Sequence, residues 1–279
     1  VNQSTSEPSD YIHGSSPEEQ HRLSLLNSIL NESCLRELGL RKGQKVLDVG
    51  SGLGQFTRLM ANAVGCEGRV VGIERSLAQR AQAQRLADES GEAGLVDFRA
   101  GDALDLVLSD ADSGTFDVVH ARFLLEHLPR PAAAIEQMVR AARPGGRVFV
   151  ADDDHDNFRP YPEPAGFLPL WKGYVRSFEM LGNDPYVGRR LVSLLRENGL
   201  SSIRNSSVFF GGCAGNERFE AVADNLIGAI GGARAAILSG GFVDETAFNR
   251  GMDGLQQWKT DPSAVLWYTV CCAEGYVPE

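Results

Sequence analysis

Asp48 stands inside the short apolar run Val46-Leu47-Asp48-Val49, and glycines follow at positions 50, 52 and 54. Glycines at a strand end let the backbone turn sharply and let a ligand approach with no Cβ in the way. A carboxylate just ahead of such a turn repels a pyrophosphate and suits a ligand carrying positive charge. Further carboxylates recur where they could serve one ligand. Glu74 lies about twenty residues beyond the glycines, where nucleotide-binding folds place an acid on the ribose hydroxyls. Asp102 follows in Ala100-Gly101-Asp102-Ala103. Two histidines could move protons near neutrality. His120 ends the run Phe116-Asp-Val-Val-His, and His155 sits in the acidic run Asp152-Asp-Asp-His-Asp156.

These residues need strands and helices to hold them. Val46, Leu47 and Val49 read as a buried parallel strand, and Gln55 to Ala63 as the helix after the glycine turn. Arg69 to Glu74, Val96 to Arg99, Phe116 to His120 and Arg147 to Asp152 read as four further strands. Helices fall at Ser76 to Glu89, capped by Ser76, and at Ala132 to Ala142, closed by Pro144-Gly145-Gly146. Such alternation predicts parallel β-α-β units with right-handed crossovers. Ahead of them, Ser16-Pro17-Glu18-Glu19 starts a helix that runs to about Leu38 and stops at Gly39. Beyond Asp152 the texture changes. Helices are expected at Phe167 to Leu181 and Gly188 to Asn198, strands at Ser202 to Phe210 and Ala264 to Glu274, and a helical insert between the two strands.

Composition narrows the partners. The 279 residues carry 27 basic and 37 acidic side chains, a net charge of -10. That balance argues against nucleic acid, because phosphate neutralisation needs a basic surface, and against an anionic membrane. No apolar run approaches the ~20 residues of a membrane span, and the first ten residues are polar, unlike a secretory signal. The five cysteines show no C-x-x-C pair or metal spacing. They read as buried, reduced thiols, which suits a cytoplasmic location.

The order of these motifs resembles the class I S-adenosylmethionine-dependent methyltransferases. The glycines fall as G-x-G-x-G after Asp48, not as the dinucleotide fingerprint G-x-G-x-x-G. The matching features are Glu74, Asp102, the segment His120 to Leu128 and the turn Arg143-Pro-Gly-Gly-Arg147. The resemblance covers about Leu40 to Asp152. It implies a Rossmann-like α/β fold, with a seven-stranded, mostly parallel sheet of order 3-2-1-4-5-7-6 and an antiparallel seventh strand. It implies S-adenosylmethionine as cofactor, held by Asp48, Gly50, Ser51, Gly52, Gly54, Glu74, Arg75, Asp102, Ala103 and His120. Tyr11-Ile12-His13 resembles a segment that folds over the cofactor in one small-molecule branch. Residues 1–38 would then cover the cofactor. Residues 39–279 would form the main domain, with substrate-lid inserts at about 155–200 and 213–260.

The expected activity is methyl transfer to a small-molecule acceptor, at an oxygen, nitrogen or carbon, in secondary metabolism or on a quinone-like ring. His155 is the first candidate base and His120 the second. Some O-methyltransferases bind a metal near the Asp152 run, but they add an acid after the fourth strand, where this chain has His120. No metal site is assigned. Trp171, Tyr174, Phe178 and Tyr186 fit either a packed core or an apolar acceptor pocket. The alternatives are a ubiquinone- or menaquinone-type carbon methyltransferase, a non-catalytic S-adenosylmethionine-binding partner and, from another class, an NAD-dependent oxidoreductase. Oligomeric state is not legible.

Overall fold

The structure, a computed structural model, describes residues 17–279. Tyr11, His13 and the Ser16 cap lie outside the described residues. From the N-terminus the elements are α1 (Pro17–Leu38), β1 (Lys45–Val49), α2 (Gln55–Val64), β2 (Arg69–Glu74), α3 (Leu77–Glu89), β3 (Val96–Ala100), β4 (Phe116–Arg122), α4 (Pro131–Ala141), β5 (Ala142–Asp152), β6 (Arg159–Tyr161), α5 (Phe167–Met180), α6 (Leu191–Glu197), β7 (Ser201–Phe209), β8 (Gly212–Cys213), α7 (Phe219–Gly232), α8 (Arg234–Ser239), α9 (Glu245–Lys259), β9 (Val265–Trp267) and β10 (Thr269–Tyr276).

They divide into two units. The sheet unit comprises residues 30–154, 186–208 and 270–279. Its seven strands run in the order β3-β2-β1-β4-β5-β10-β7. β1 pairs in parallel with β2 on one side and β4 on the other. β10 is antiparallel to β5, with Cys271 opposite Asp152. With β7 as the sixth strand of this sheet and β10 as the seventh, the order is the one expected. Burial on both faces explains the uninterrupted apolar runs: Val46, Leu47, Val49, Val70 and Val71 are all fully buried. α2 covers one face with Phe56, Met60, Ala61 and Val64, spaced as a helix stripe.

The insert unit comprises residues 17–29, 155–185 and 209–269 of the described chain. α5 packs on α8 and α9, and α7 on α9. A three-stranded sheet, β6-β9-β8, is antiparallel throughout. Among the described residues no helix is long and apolar enough to cross a membrane.

Several sequence expectations need correction. The units do not separate at residue 39: the boundary falls inside α1, between Ile29 and Leu30. The end of α1 is tied to the sheet, because Leu30, Cys34 and Leu38 are buried and Arg147 donates to the Leu38 carbonyl. Residues 186–208 belong with the sheet rather than with an insert, because β7 is an edge strand of it. The expected last strand is two strands, β9 in the small sheet and β10 in the large one. β5 begins at Ala142, so Pro144-Gly145-Gly146 lies within an extended stretch, pinned by reciprocal bonds between Gly145, Gly146 and Val277. Cys66 and Cys213 are exposed free thiols, not buried ones.

Asp112, in the crossover from β3 to β4, ties the sheet together. It pairs with Lys45 of β1 at 2.8 Å and Arg99 of β3 at 2.7 Å, and accepts from Ser109. Hydrogen bonds from Lys45 and Arg99 hold its carboxyl well below the ordinary carboxylate range. A depressed folded pKa stabilises above the unfolded value of about 3.9, and that contribution is lost as pH falls through the folded value. Asp112→Ala should therefore cost about 2 kcal/mol at neutral pH and flatten the loss of stability below about pH 4. Urea melts across the acid range would show both effects, and parallel wild-type and variant curves would contradict them.

Candidate active site

The turn between β1 and α2 is built from inward-facing amides. Gly50 N and Ser51 N both donate to the Ile73 carbonyl of β2 at 2.9 Å. Gly52 N donates to Glu74 Oε2 at 2.9 Å, and Gly54 N to the Ser51 carbonyl. Glu74 Oε1 accepts from Ser76 N at 2.7 Å. One carboxylate thus braces the glycine turn and the start of α3. Glycine is required at 54: φ is +70°, and a Cβ there would sit 2.4 Å from the Phe98 ring. At Gly50, with φ +78°, a Cβ would meet Leu124 Cδ1 at 3.0 Å.

Asp48 and His120 are register partners on adjacent parallel strands, which puts their side chains on one face. Asp48 Oδ1 lies 2.8 Å from His120 Nδ1, and Oδ2 accepts from Thr57 Oγ1 at 2.6 Å. Exposure is 4% for Asp48 and 2% for His120. The rings of Phe56 and Phe149 flank the imidazole. With Nδ1–H donated to Asp48, the neutral tautomer leaves Nε2 as its acceptor. The sequence expectation that Asp48 offers its charge directly to a ligand is thus qualified, because two protein donors already meet it. Thr57 was missed. Its only sequence signal is its place in the first turn of the helix after the glycines.

Asp102 is half-buried, and its Oδ1 accepts from Leu104 N at 2.8 Å. Ala103 packs beside it against the sheet core, and Arg75 is exposed next to Glu74. The structure therefore brings Asp48, the glycine turn, Glu74 and His120 together at the ends of β1, β2 and β4. This is the point where strand order reverses, and doubly wound sheets bind their ligands there.

His155 belongs to the insert unit. It is buried, stacked on Tyr174 at 5.7 Å and edge-on to Phe178 at 5.0 Å, with Trp171 at 5.5 Å. Phe158 and Phe167 extend this aromatic column along Trp171. The insert unit also holds an open cavity of about 440 Å³ lined by Ile29, Phe209, Phe210, Asn216, Glu217 and Arg218. Sequence reasoning picked out none of these six.

Asp152 leaves the acidic run for a structural task. It is 1% exposed and accepts Leu124 N, Leu125 N and Asp153 N. Burial first, then the charge of Asp153, push its carboxyl up to about 7, against the pull of those three amides. A raised carboxyl stabilises when protonated, so this group alone weakens the fold as pH rises from about 4 through about 7. Asp154 instead forms a two-pronged pair with Arg189.

A family described as a methyltransferase domain matches residues 47–150. Residues 47–150 are thus similar to a methyltransferase domain. The match begins at β1 and ends within β5, so it contains Asp48, the glycine turn, Glu74, Asp102 and His120. The chain is 33% identical over 176 residues to O-methyltransferase resE of Aspergillus sclerotiorum, covering 61% of each chain. It is 33% identical over 136 residues to 2-phytyl-1,4-naphtoquinone methyltransferase of Synechococcus elongatus, 49% of this chain and 55% of that one. It spans less than two thirds of the length of either relative. The fold matches phosphoethanolamine N-methyltransferase 2 of Haemonchus contortus, solved with phosphomonomethylethanolamine and S-adenosylhomocysteine. The TM-score is 0.59 at 17% identity, over 95% of this chain and 59% of that one.

Within the matched segment, Asp48→Ala would leave the His120 N–H and the Thr57 hydroxyl buried without their acceptor. It should cost about 3 kcal/mol or more, measurable by urea denaturation. A cost under about 1 kcal/mol would show that the pair contributes little.

Proposed function

We propose that this chain is an S-adenosylmethionine-dependent methyltransferase acting on a small-molecule acceptor. The observation that carries the reading is the direction of the turn amides. Gly50, Ser51, Gly52 and Gly54 all donate within the protein. A pyrophosphate site needs such amides turned toward the ligand, so this turn suits a ligand without phosphate and disfavours a dinucleotide. The carboxylates fit the remaining chemistry. Each oxygen of Glu74 accepts one hydrogen bond and keeps a lone pair for a second, as a ribose diol requires. Asp102 has an oxygen beyond the one that Leu104 N uses, suited to an adenine amino group.

Bound S-adenosylmethionine supplies a methyl group on an already activated sulfonium, so the protein's work is alignment and exclusion of water. Glu74 and Asp102 would hold the nucleoside end, with Ser51, Arg75 and Ala103 alongside them. The Asp48–His120 pair would set negative charge near the sulfonium end. Buried and already bonded to Asp48, His120 acts here by positioning that carboxylate. Where the acceptor must lose a proton, His155 is the base candidate. Relatives named for O-methylation and for a phytylated naphthoquinone support an aromatic or quinoid acceptor, as does the aromatic column.

Titration calorimetry with S-adenosylhomocysteine should show micromolar binding, and NAD should show none. Glu74→Ala should weaken that binding about tenfold or more, the scale of losing two charged hydrogen bonds. Unchanged affinity in Glu74→Ala, or no binding by the wild type, would refute the cofactor assignment.

A further inference from the structure

Three successive amides after β4 converge on the end of β5. Phe123 N donates to the Ala151 carbonyl at 2.9 Å, and Leu124 N and Leu125 N donate to Asp152 Oδ2 at 3.2 and 2.8 Å. Between them they hold Phe123 at φ +52°, a left-handed conformation that a bulky side chain does not adopt unaided. The turn so fixed sets the Leu124 side chain against Gly50. Leu124 Cδ1 and Cδ2 lie 3.0 and 3.3 Å from where a Cβ on Gly50 would stand. Gly50 is in turn bound to Ile73 through its amide. The contacts therefore run without a gap from the Asp152 carboxylate, through the Phe123–Leu125 backbone and the Leu124 side chain, to the first glycine of the turn.

We propose that Asp152 is a positioning residue for the glycine turn, acting through Leu124. This rests on the reading of that turn as part of the S-adenosylmethionine site. Asp152 is not a solvated member of an acidic run, because it is buried and both oxygens accept backbone amides. Nor is it placed to take a substrate proton, since those amides surround it. Its role is to hold a turn that has no preference of its own for the conformation it adopts.

Four proteins test this: wild type, Asp152→Ala, Asp152→Asn and Leu194→Ala. The last removes a buried side chain of α6 in the sheet core and serves as a control for general destabilisation. S-adenosylhomocysteine affinity, read by calorimetry, should fall about tenfold in Asp152→Ala. It should fall less in Asp152→Asn, whose amide oxygen can still accept on one side, and should hold in Leu194→Ala. Amide exchange at Leu124, Leu125, Gly50 and Ser51 should accelerate in Asp152→Ala but not in Leu194→Ala at matched thermal stability. If Asp152→Ala does not fold, Asp152→Asn carries the same comparison. Wild-type affinity in the Asp152 variants, or an equal loss in Leu194→Ala, overturns the proposal. A wild type that binds no S-adenosylhomocysteine refutes the cofactor reading instead, while the exchange at Gly50 and Ser51 still decides whether Asp152 governs the turn.

Discussion

The turn after β1 satisfies its own amides, and the rest of the site follows from that constraint. A single backbone carbonyl, that of Ile73, receives both Gly50 and Ser51, and the Glu74 carboxylate receives Gly52. A turn wired this way cannot offer the same donors to a phosphate. Acceptors remain, as carboxylates at the ends of successive strands: Asp48 in β1, Glu74 ending β2 and Asp102 after β3. The same wiring explains why Glu74 ends β2: its oxygens reach the turn on one side and the start of α3 on the other. The residue expected to touch a ribose is also the residue that shapes the loop beneath it.

Charge in this site is arranged with partners. Taking a carboxylate out of water costs several kcal/mol unless hydrogen bonds replace the lost hydration. Asp48 meets that cost with Thr57 from α2 and His120 from β4, so three elements converge on one carboxylate. The arrangement also spans the switch point of the sheet, between β1 and β4, where the strand order reverses. Asp152 repeats the pattern one strand further along, with backbone amides in place of side chains. Asp48 thus joins elements through side chains, whereas Asp152 fixes a turn through amides.

Much of this was legible from residue order. Parallel strands buried on both faces leave continuous apolar runs, so β1, β2, β4 and most of β5 announced themselves, as did the acids that end or follow them. What stayed hidden has physical reasons. β6 and β8 are three and two residues long, too short for alternation to show, and both exist only because β9 lies between them. The boundary inside α1 is invisible because the helix continues through it unbroken. Thr57 and Leu124 carry no motif, since a hydroxyl in a first helical turn and a leucine after a strand are both ordinary. The run Asp152 to Asp156 read as one feature because neighbouring acids look alike in sequence. In the fold Asp152 holds a turn, Asp154 pairs with Arg189, and His155 sits among aromatic rings.

The acceptor question is harder for a reason that lies in the chemistry. A cofactor presents fixed groups, so its site needs particular side chains at particular spacings, and those leave a motif. An apolar ring presents little beyond a flat face, and any set of Phe, Trp and Tyr at helical spacing can meet it. Phe167, Trp171, Tyr174 and Phe178 stand at such spacing on α5, the first three stacked in turn and Phe178 edge-on to Tyr174. The same four residues would be chosen to pack α5 against its neighbours with no ligand in view. His155 adds an imidazole to that column, and burying its two nitrogens costs desolvation that a purely apolar ring would not incur.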